Sequence, residues 1–240
     1  MGQSLSDNTE RQRRPWLQGM VQALPIVLGY IPVGFAYGVL AQKAGLSAFN
    51  TLLMSIIVYA GSAQLISVGL IASGLSPLSI IITTFIVNLR HMLMSAALSP
   101  HLQNWRKREL SAFAYEITDE SFALHAARME EGERPKSETF AINLTAQLSW
   151  VLGTALGIFG GSMIAEIEPF ALDYALPAMF IALLVMQIKN KVQVVVAVLA
   201  GAFSLGLYLW GLQQWYVIVA TVLAATLGVV FEQWTKKQSS

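Results

Sequence analysis

The chain has 240 residues, of which 55 % are hydrophobic and only 12 % charged, with fifteen Lys and Arg against fourteen Asp and Glu. An ordinary soluble domain carries about 25 % charged residues, and with a mean hydropathy of +0.57 this chain has too little charge to cover a soluble surface. The arithmetic disfavours a soluble enzyme, a disordered chain and a basic nucleic-acid binder, and the absence of Cys removes disulfides, thiol catalysis and Cys-ligated metals.

The charges gather at Glu10–Arg14, around residues 101–138, at Lys189 and Lys191, and at Lys236 and Lys237. Long apolar runs lie between, and a membrane span needs about 20 such residues. Residues 1–16 read as a polar tail. The following run is too long for the apolar core of a signal peptide, about 7–15 residues, and no small-residue cleavage site closes it. It is therefore taken as a retained first span, at about 17–41. Further spans are expected at about 49–73, 77–99, 139–164, 170–188, 192–211 and 214–232. A polar tail is expected at 235–240, so that 17–234 forms a single transmembrane domain. Gly45 and the run Ser73-Gly74-Leu75-Ser76-Pro77 mark the first two breaks.

An eighth span is a candidate at about 110–128, LSAFAYEITDESFALHAAR, although it carries Glu116, Asp119, Glu120 and His125. Basic residues do not decide the count. Eight spans put ten of them inside and four outside, the four being Lys43, Arg106, Lys107 and Arg108; seven spans put eleven inside and Arg11, Arg13 and Arg14 outside. The expected fold is thus an all-α, polytopic membrane helix bundle with seven or eight spans. Ala23-Leu24-Pro25 recurs as Ala175-Leu176-Pro177. In an eight-span chain those two helices run oppositely, as in an inverted repeat with broken helices.

Four stretches carry candidate chemistry. The first span reads ALPIVLGYIPVGFAYGVLA. Pro25 and Pro32 remove backbone donors and Gly29, Gly34 and Gly38 loosen the helix, so it is either a discontinuous transporter helix around Gly29, Tyr30 and Pro32 or a kinked packing helix. The second span carries Tyr59-Ala60-Gly61-Ser62-Ala63-Gln64, where uncharged donors and acceptors suit a zwitterion or an interhelical hydrogen bond. The third contains Asn88-Leu89-Arg90-His91. Arg90 is the basic residue inside an apolar run, at a cost of at least ~2.5–3.5 kcal/mol, and intramembrane charge is a functional candidate by default. His91 can titrate near neutral pH. The fourth is the acidic pair Asp119 and Glu120, partners for Arg90 and proton carriers if they enter the bundle, or solvated acids if they do not. Gly153, Gly157 and Gly161 read as a packing ridge, and Asn143 and Gln147 share a helical face. No HExxH, GxSxG or P-loop occurs, so no enzyme, metal or cofactor is expected.

The stretches GYIPVGFAYG (29–38), YAGSAQ (59–64), VNLRHMLMSAALSP (87–100), ITDESFA (117–123) and LPAMF (176–180) resemble, in order, those of the AzlC family of YgaZ-like exporter subunits. The resemblance implies secondary export of valine, leucine and isoleucine across the bacterial cytoplasmic (inner) membrane. It also implies a small, separately encoded membrane partner of the AzlD or YgaH type, with about four spans. On that reading the substrate-binding candidates are Pro25, Gly29, Tyr30, Pro32, Tyr59, Gly61, Ser62, Gln64, Asn88 and Arg90, and the proton-coupling candidates are Asp119, Glu120 and His91. The alternative is a passive amino-acid channel or a scaffold subunit that stabilises its partner.

Overall fold

A computed structural model describes residues 15–132, 134–161 and 191–211, with isolated positions between 163 and 228. The chain divides into two compact units, Met1–Met179 and Phe180–Ser240. The first holds α1 (Leu24–Lys43), α2 (Ala48–Ile57), α3 (Gly61–Ala72), α4 (Pro77–Leu98) with a 3-10 turn at Ser99–Leu102, α5 (Lys107–Tyr115), α6 (Asp119–Glu130) and α7 (Lys136–Gly161); the second holds α8 (Lys191–Leu209). Among the described residues, four helices are long and apolar enough to cross a membrane: Leu24–Lys43, Pro77–Leu102, Lys136–Gly161 and Val192–Leu209. The spans expected at 170–188 and 214–232, the Ala175-Leu176-Pro177 match and most of both polar tails lie outside the described residues.

α1 and α7 run parallel in close contact. A Cβ on Gly153 would meet the Ile31 carbonyl oxygen at 2.6 Å, one on Gly157 the Phe35 carbonyl oxygen at 2.1 Å, and one on Gly161 the Val39 Cα at 3.3 Å. The constant offset between partners fixes both direction and register. Gly34 and Gly38 answer from α1, where an added Cβ would sit 2.9 Å from the Trp150 carbonyl oxygen and 2.4 Å from that of Thr154. The glycine ridges are therefore packing surfaces that let two backbones touch. α1 is one continuous helix, with Pro25 in its first turn and Pro32 inside it. The helical stretch begins at residue 15 and is interrupted by a turn at Ala23, two residues before Pro25, whereas the helix is unbroken through Gly29, Tyr30 and Pro32.

The discontinuities that form the hairpins lie elsewhere. The second expected span, 49–73, is two short helices, α2 and α3, separated by Val58–Ala60. Tyr59 there has φ +43°, a left-handed conformation that costs a non-glycine residue about 1–3 kcal/mol. The chain folds back at this point, because Gln64 Nε2 donates to Ser55 Oγ at 3.2 Å; nine residues of straight helix would separate them by about 13 Å. The base of this hairpin lies at the C-terminal end of α1, where Gln42 Nε2 donates to the Leu46 carbonyl at 2.9 Å and to Thr51 Oγ1 at 3.3 Å.

Residues 110–128 form a second hairpin rather than an eighth crossing. α5 ends at Tyr115, and Thr118 starts α6 as its N-cap: its Oγ1 accepts from Ser121 N at 3.3 Å while Ser121 Oγ accepts from Thr118 N at 2.9 Å. This reciprocal cap fixes a helix start where a crossing helix needs continuity. The Phe113 and His125 rings lie 5.1 Å apart, so α6 returns alongside α5. The hairpin starts and finishes beside the N-terminal end of α7. Lys136 Nζ reaches Glu109 Oε2 at 2.5 Å, and Arg128 Nη2 reaches Glu138 Oε1 at 2.5 Å. A second apolar core seals this base, where Met94, Leu98, Leu102, Phe113, Ile117 and Met129 pack with Trp105 and Phe140.

α4 connects the two ends of the unit. It leaves the first hairpin at Ser76, whose side chain caps Ser79 N, and delivers Met94 and Leu98 to the base of the second. α1 followed by one hairpin and α4 followed by the other are therefore two copies of one plan, running in opposite directions. Apart from Met94 and Leu98, no residue of α4 is buried, and Leu78, Ile81, Phe85, Leu89, Met92 and Leu93 are exposed. That face suits hydrocarbon, not water.

Candidate functional site

Two half-depth hairpins entering from opposite ends must meet near the middle, and their tips do. Arg90, in the middle of α4, joins them. Its Nη1 lies 2.6 Å from Asp119 Oδ2 at the tip of the second hairpin, and its Nη2 donates to Ser62 Oγ at the tip of the first. Tyr30 Oη of α1 lies 2.6 Å from Thr118 Oγ1 and 2.6 Å from Glu120 Oε2; its proton goes to the carboxylate, which can only accept. Tyr115 donates to the Ile56 carbonyl. Gln147 Nε2 of α7 donates to that carbonyl at 3.3 Å and to Tyr115 Oη at 3.2 Å.

Behind the tips stands an uncharged polar brace. Gln64 Oε1 accepts from Trp150 Nε1 at 3.1 Å, and Ser55 Oγ lies 2.8 Å from Thr154 Oγ1. The Trp150 ring stacks on Tyr37 at 6.0 Å and meets Tyr30 edge-on at 5.5 Å. These contacts lock the first hairpin to the α1–α7 pair.

At the tips, Arg90 Nε and Asn88 Oδ1 are buried without a hydrogen-bond partner. A buried unpaired group costs about 1–3 kcal/mol, so this set of donors and acceptors is suited to a small polar ligand. The N-terminus of α3 at Gly61 has no side-chain cap, which leaves amide donors and a partial positive charge beside Ser62. Together with Arg90 it favours an anionic group such as a carboxylate.

The structure brings Tyr30, Tyr59, Gly61, Ser62, Arg90, Asp119 and Glu120 together. Gln64 is present one turn further on, as the brace to α7. His91 follows Arg90, with its Nδ1 3.2 Å from the Asn88 carbonyl of its own helix. Pro25, Gly29 and Pro32 lie on the exposed side of α1, and a Cβ on Gly29 would meet nothing within 4 Å. Sequence reasoning missed Glu116, His125 and Trp150. His125 Nε2 lies 2.7 Å from Asn143 Oδ1 in the interface between the second hairpin and α7. The capping pair Thr118 and Ser121 was the available signal, because it marks a helix start inside an apparent span. Among the described residues no group of three or more His, Asp or Glu could hold a metal ion.

Comparison with known proteins gives the setting. The family model described as AzlC protein matches residues 25–164. The inner membrane protein YgaZ of Escherichia coli K12 is 34 % identical over 196 residues, 79 % of this chain and 80 % of the relative. A membrane protein of Archaeoglobus fulgidus is 34 % identical over 90 % of this chain and 94 % of its own length. The branched-chain amino acid transport protein AzlC of Bacillus subtilis 168 is 26 % identical over 86 % of this chain and 80 % of its own. No solved structure matches. The matched region spans α1 to α7 and so holds both hairpins and Arg90; this chain is a membrane protein of the AzlC family.

Proposed function

We propose that the protein is a secondary transporter subunit that exports branched-chain amino acids from the cytoplasm, coupled to protons, together with a small membrane partner of the AzlD type. The observation that carries this reading is the meeting of two opposed hairpin tips around Arg90, with an unpaired donor at Arg90 Nε and an unpaired acceptor at Asn88 Oδ1. An amino acid is a zwitterion and needs donors for its carboxylate and acceptors for its ammonium. Arg90 and the free amides at Gly61 and Ser62 supply the first; Glu120 and Asn88 Oδ1 supply the second. Ala60, buried at the tip of the first hairpin, offers apolar surface to an aliphatic side chain. The substrate class follows the name of the Bacillus relative, and export follows the family resemblance.

Asp119 occupies Arg90 in this structure, so an incoming carboxylate has to displace it. Protonation of Asp119 or Glu120 lowers the cost of that exchange, which links substrate occupancy to a proton. Orientation follows from charge. Arg106, Lys107, Arg108, Arg128, Arg134 and Lys136 flank the base of the second hairpin, while Lys43 flanks the first. Six basic residues against one put the second hairpin's base in the cytoplasm.

Vesicles holding the complex and loaded with labelled leucine test the reading. Saturable efflux, exchange against external leucine and acceleration by an imposed pH gradient are expected. Efflux that does not saturate at millimolar leucine would make the protein a channel. Full transport by Arg90→Ala in an assembled complex would make it a scaffold.

A further inference from the structure

Asp119 and Glu120 are neighbours in sequence, but the structure gives them different partners. Asp119 Oδ2 lies 2.6 Å from Arg90 Nη1, so a proton placed on Asp119 costs an ion pair. Glu120 takes part in none of the ion pairs among the described residues. Its bond comes from a neutral hydroxyl: Tyr30 Oη lies 2.6 Å from Glu120 Oε2 and 2.6 Å from Thr118 Oγ1. Tyr30 has one hydrogen and therefore a choice of acceptor. Beside an ionised Glu120 it donates to the carboxylate. Beside a protonated one it accepts the carboxyl O–H and turns its own hydrogen to Thr118 Oγ1, whose hydrogen goes on to Ser121 Oγ at 3.2 Å. The Glu120–Tyr30 bond is thus kept in both states with no heavy atom moved. The charged and titratable groups facing Glu120 are Asp119 on its own helix, Arg90 on α4, Tyr30 on α1 and Tyr59 between α2 and α3. Glu116 interacts instead with Asn143 of α7. Glu120 is partly exposed, so a proton reaches it from solvent without a relay.

We propose that Glu120 is one seat for two cations, a proton or the substrate's ammonium, and that their mutual exclusion exchanges each departing amino acid for one incoming proton. This rests on the transport reading above and assigns its ionic step to one side chain. With the amino acid bound, Glu120 is ionised and accepts from the ammonium N–H groups, and the substrate carboxylate takes Arg90 from Asp119. With the proton bound, an O–H bond stands at Glu120, its charge is gone, and the ammonium has lost its counter-ion. The proton comes from solvent on one side and returns to solvent on the other; no other residue changes its protonation. A neutral Glu120 also repels the substrate carboxylate less. That carboxylate is at Arg90, however, while the ammonium touches Glu120, and the nearer charge decides because Coulomb energy falls with distance.

The test measures binding of labelled leucine to the purified complex from neutral to acid pH, beside binding of α-ketoisocaproate, which has leucine's carboxylate and side chain but no ammonium. In the wild type, acid should weaken leucine binding, by up to about tenfold per pH unit for one competing proton, and should leave binding of the keto acid undiminished. Asp119→Asn should keep the pH dependence. Glu120→Gln, of the same shape but unable to exchange a proton, should bind leucine weakly and alike at every pH, and lose efflux driven by a pH gradient. Tyr30→Phe takes a donor from the carboxylate and should move the midpoint by about one pH unit. Equal weakening of both ligands by acid overturns the shared seat, and this comparison needs no variant. So does a leucine profile unchanged in Glu120→Gln, or one lost in Asp119→Asn, which moves the proton to Asp119. A wild type that binds neither ligand at any pH overturns the transport reading itself.

Discussion

The second hairpin makes a prediction about sidedness that a crossing helix cannot share. α5 has nine residues and α6 twelve, which at about 1.5 Å per residue reach roughly 13 and 18 Å, about half of a hydrocarbon core ~30 Å thick. Both ends of the segment are therefore on one face. Because the native chain has no Cys, single-Cys variants can be read without background. Lys107→Cys and Glu131→Cys, both at exposed positions, should react with a membrane-impermeant maleimide from the cytoplasmic side alone. Ala48→Cys and Ser73→Cys, at the base of the first hairpin, should react from the opposite side alone. A second readout is distance. Glu109 and Lys136 touch at 2.5 Å, so the Glu109→Cys/Lys136→Cys pair should be closed by a short bifunctional reagent. If 107–130 crossed the bilayer, those two positions would lie about 30 Å apart and no such reagent could join them. Labelling of Lys107→Cys and Glu131→Cys from opposite faces, with no cross-link, would refute the hairpin.

The remaining predictions concern packing and charge. Gly157→Ala drives a Cβ to 2.1 Å from the Phe35 carbonyl oxygen, a backbone atom that cannot swing away. It should cost about 1–3 kcal/mol of stability, seen as a lower melting temperature in detergent, whereas Gly29→Ala, with open space around it, should be neutral or better; equal effects would deny the parallel α1–α7 register. Gln64→Leu leaves the buried Trp150 Nε1–H without its acceptor and should cost about 1–3 kcal/mol, with Gln64→Glu milder because it restores an acceptor. At the cytoplasmic base, hydrogen bonds from Lys136 and from the Arg106 N–H hold the Glu109 carboxyl below its usual range. A group depressed in the folded state adds stability above its ordinary value of about 4.3 and loses it as pH falls through the folded value. Melting curves between pH 3 and 6 should therefore show an acid-side loss in the wild type that shrinks in Lys136→Met, and identical profiles would contradict this pairing.

Composition revealed the bilayer, and the periodic Gly residues revealed the α1–α7 contact, because both are carried by local residue types. The breaks were harder to read. Two prolines in the first span pointed to a discontinuity, and the structure has a turn at Ala23 just before Pro25 but none at Pro32. The breaks that shape the two hairpins carry no proline. One relies on Tyr59 in a left-handed conformation that only tertiary contacts can hold, and the other on the Thr118 cap, which hydropathy ignores. Hairpins were read as spans for the same reason. Two short apolar helices joined by three residues have the length and composition of one long helix, and only the fold-back contacts, Gln64 to Ser55 and Phe113 to His125, tell them apart. Arg90 stood out because charge at that depth is costly, whereas His125 and Glu116 were hidden in a segment whose depth depended on the hairpin itself.

Each hairpin is anchored at one membrane face and reaches Arg90 from it, so the site lies between two elements that can move separately. Ser62 ties Arg90 to the outer hairpin by a neutral bond, and Asp119 ties it to the inner hairpin by a charged one. A substrate carboxylate competes with Asp119 far more directly than with Ser62. On the proposed reading, binding would loosen the second hairpin from α4 while the first stays attached. The acids Asp119 and Glu120 lie in that second hairpin. If one of these acids takes the proton, as proposed above, proton and substrate act on the same hairpin, and that shared target would let the Arg90–Asp119 pair couple the two.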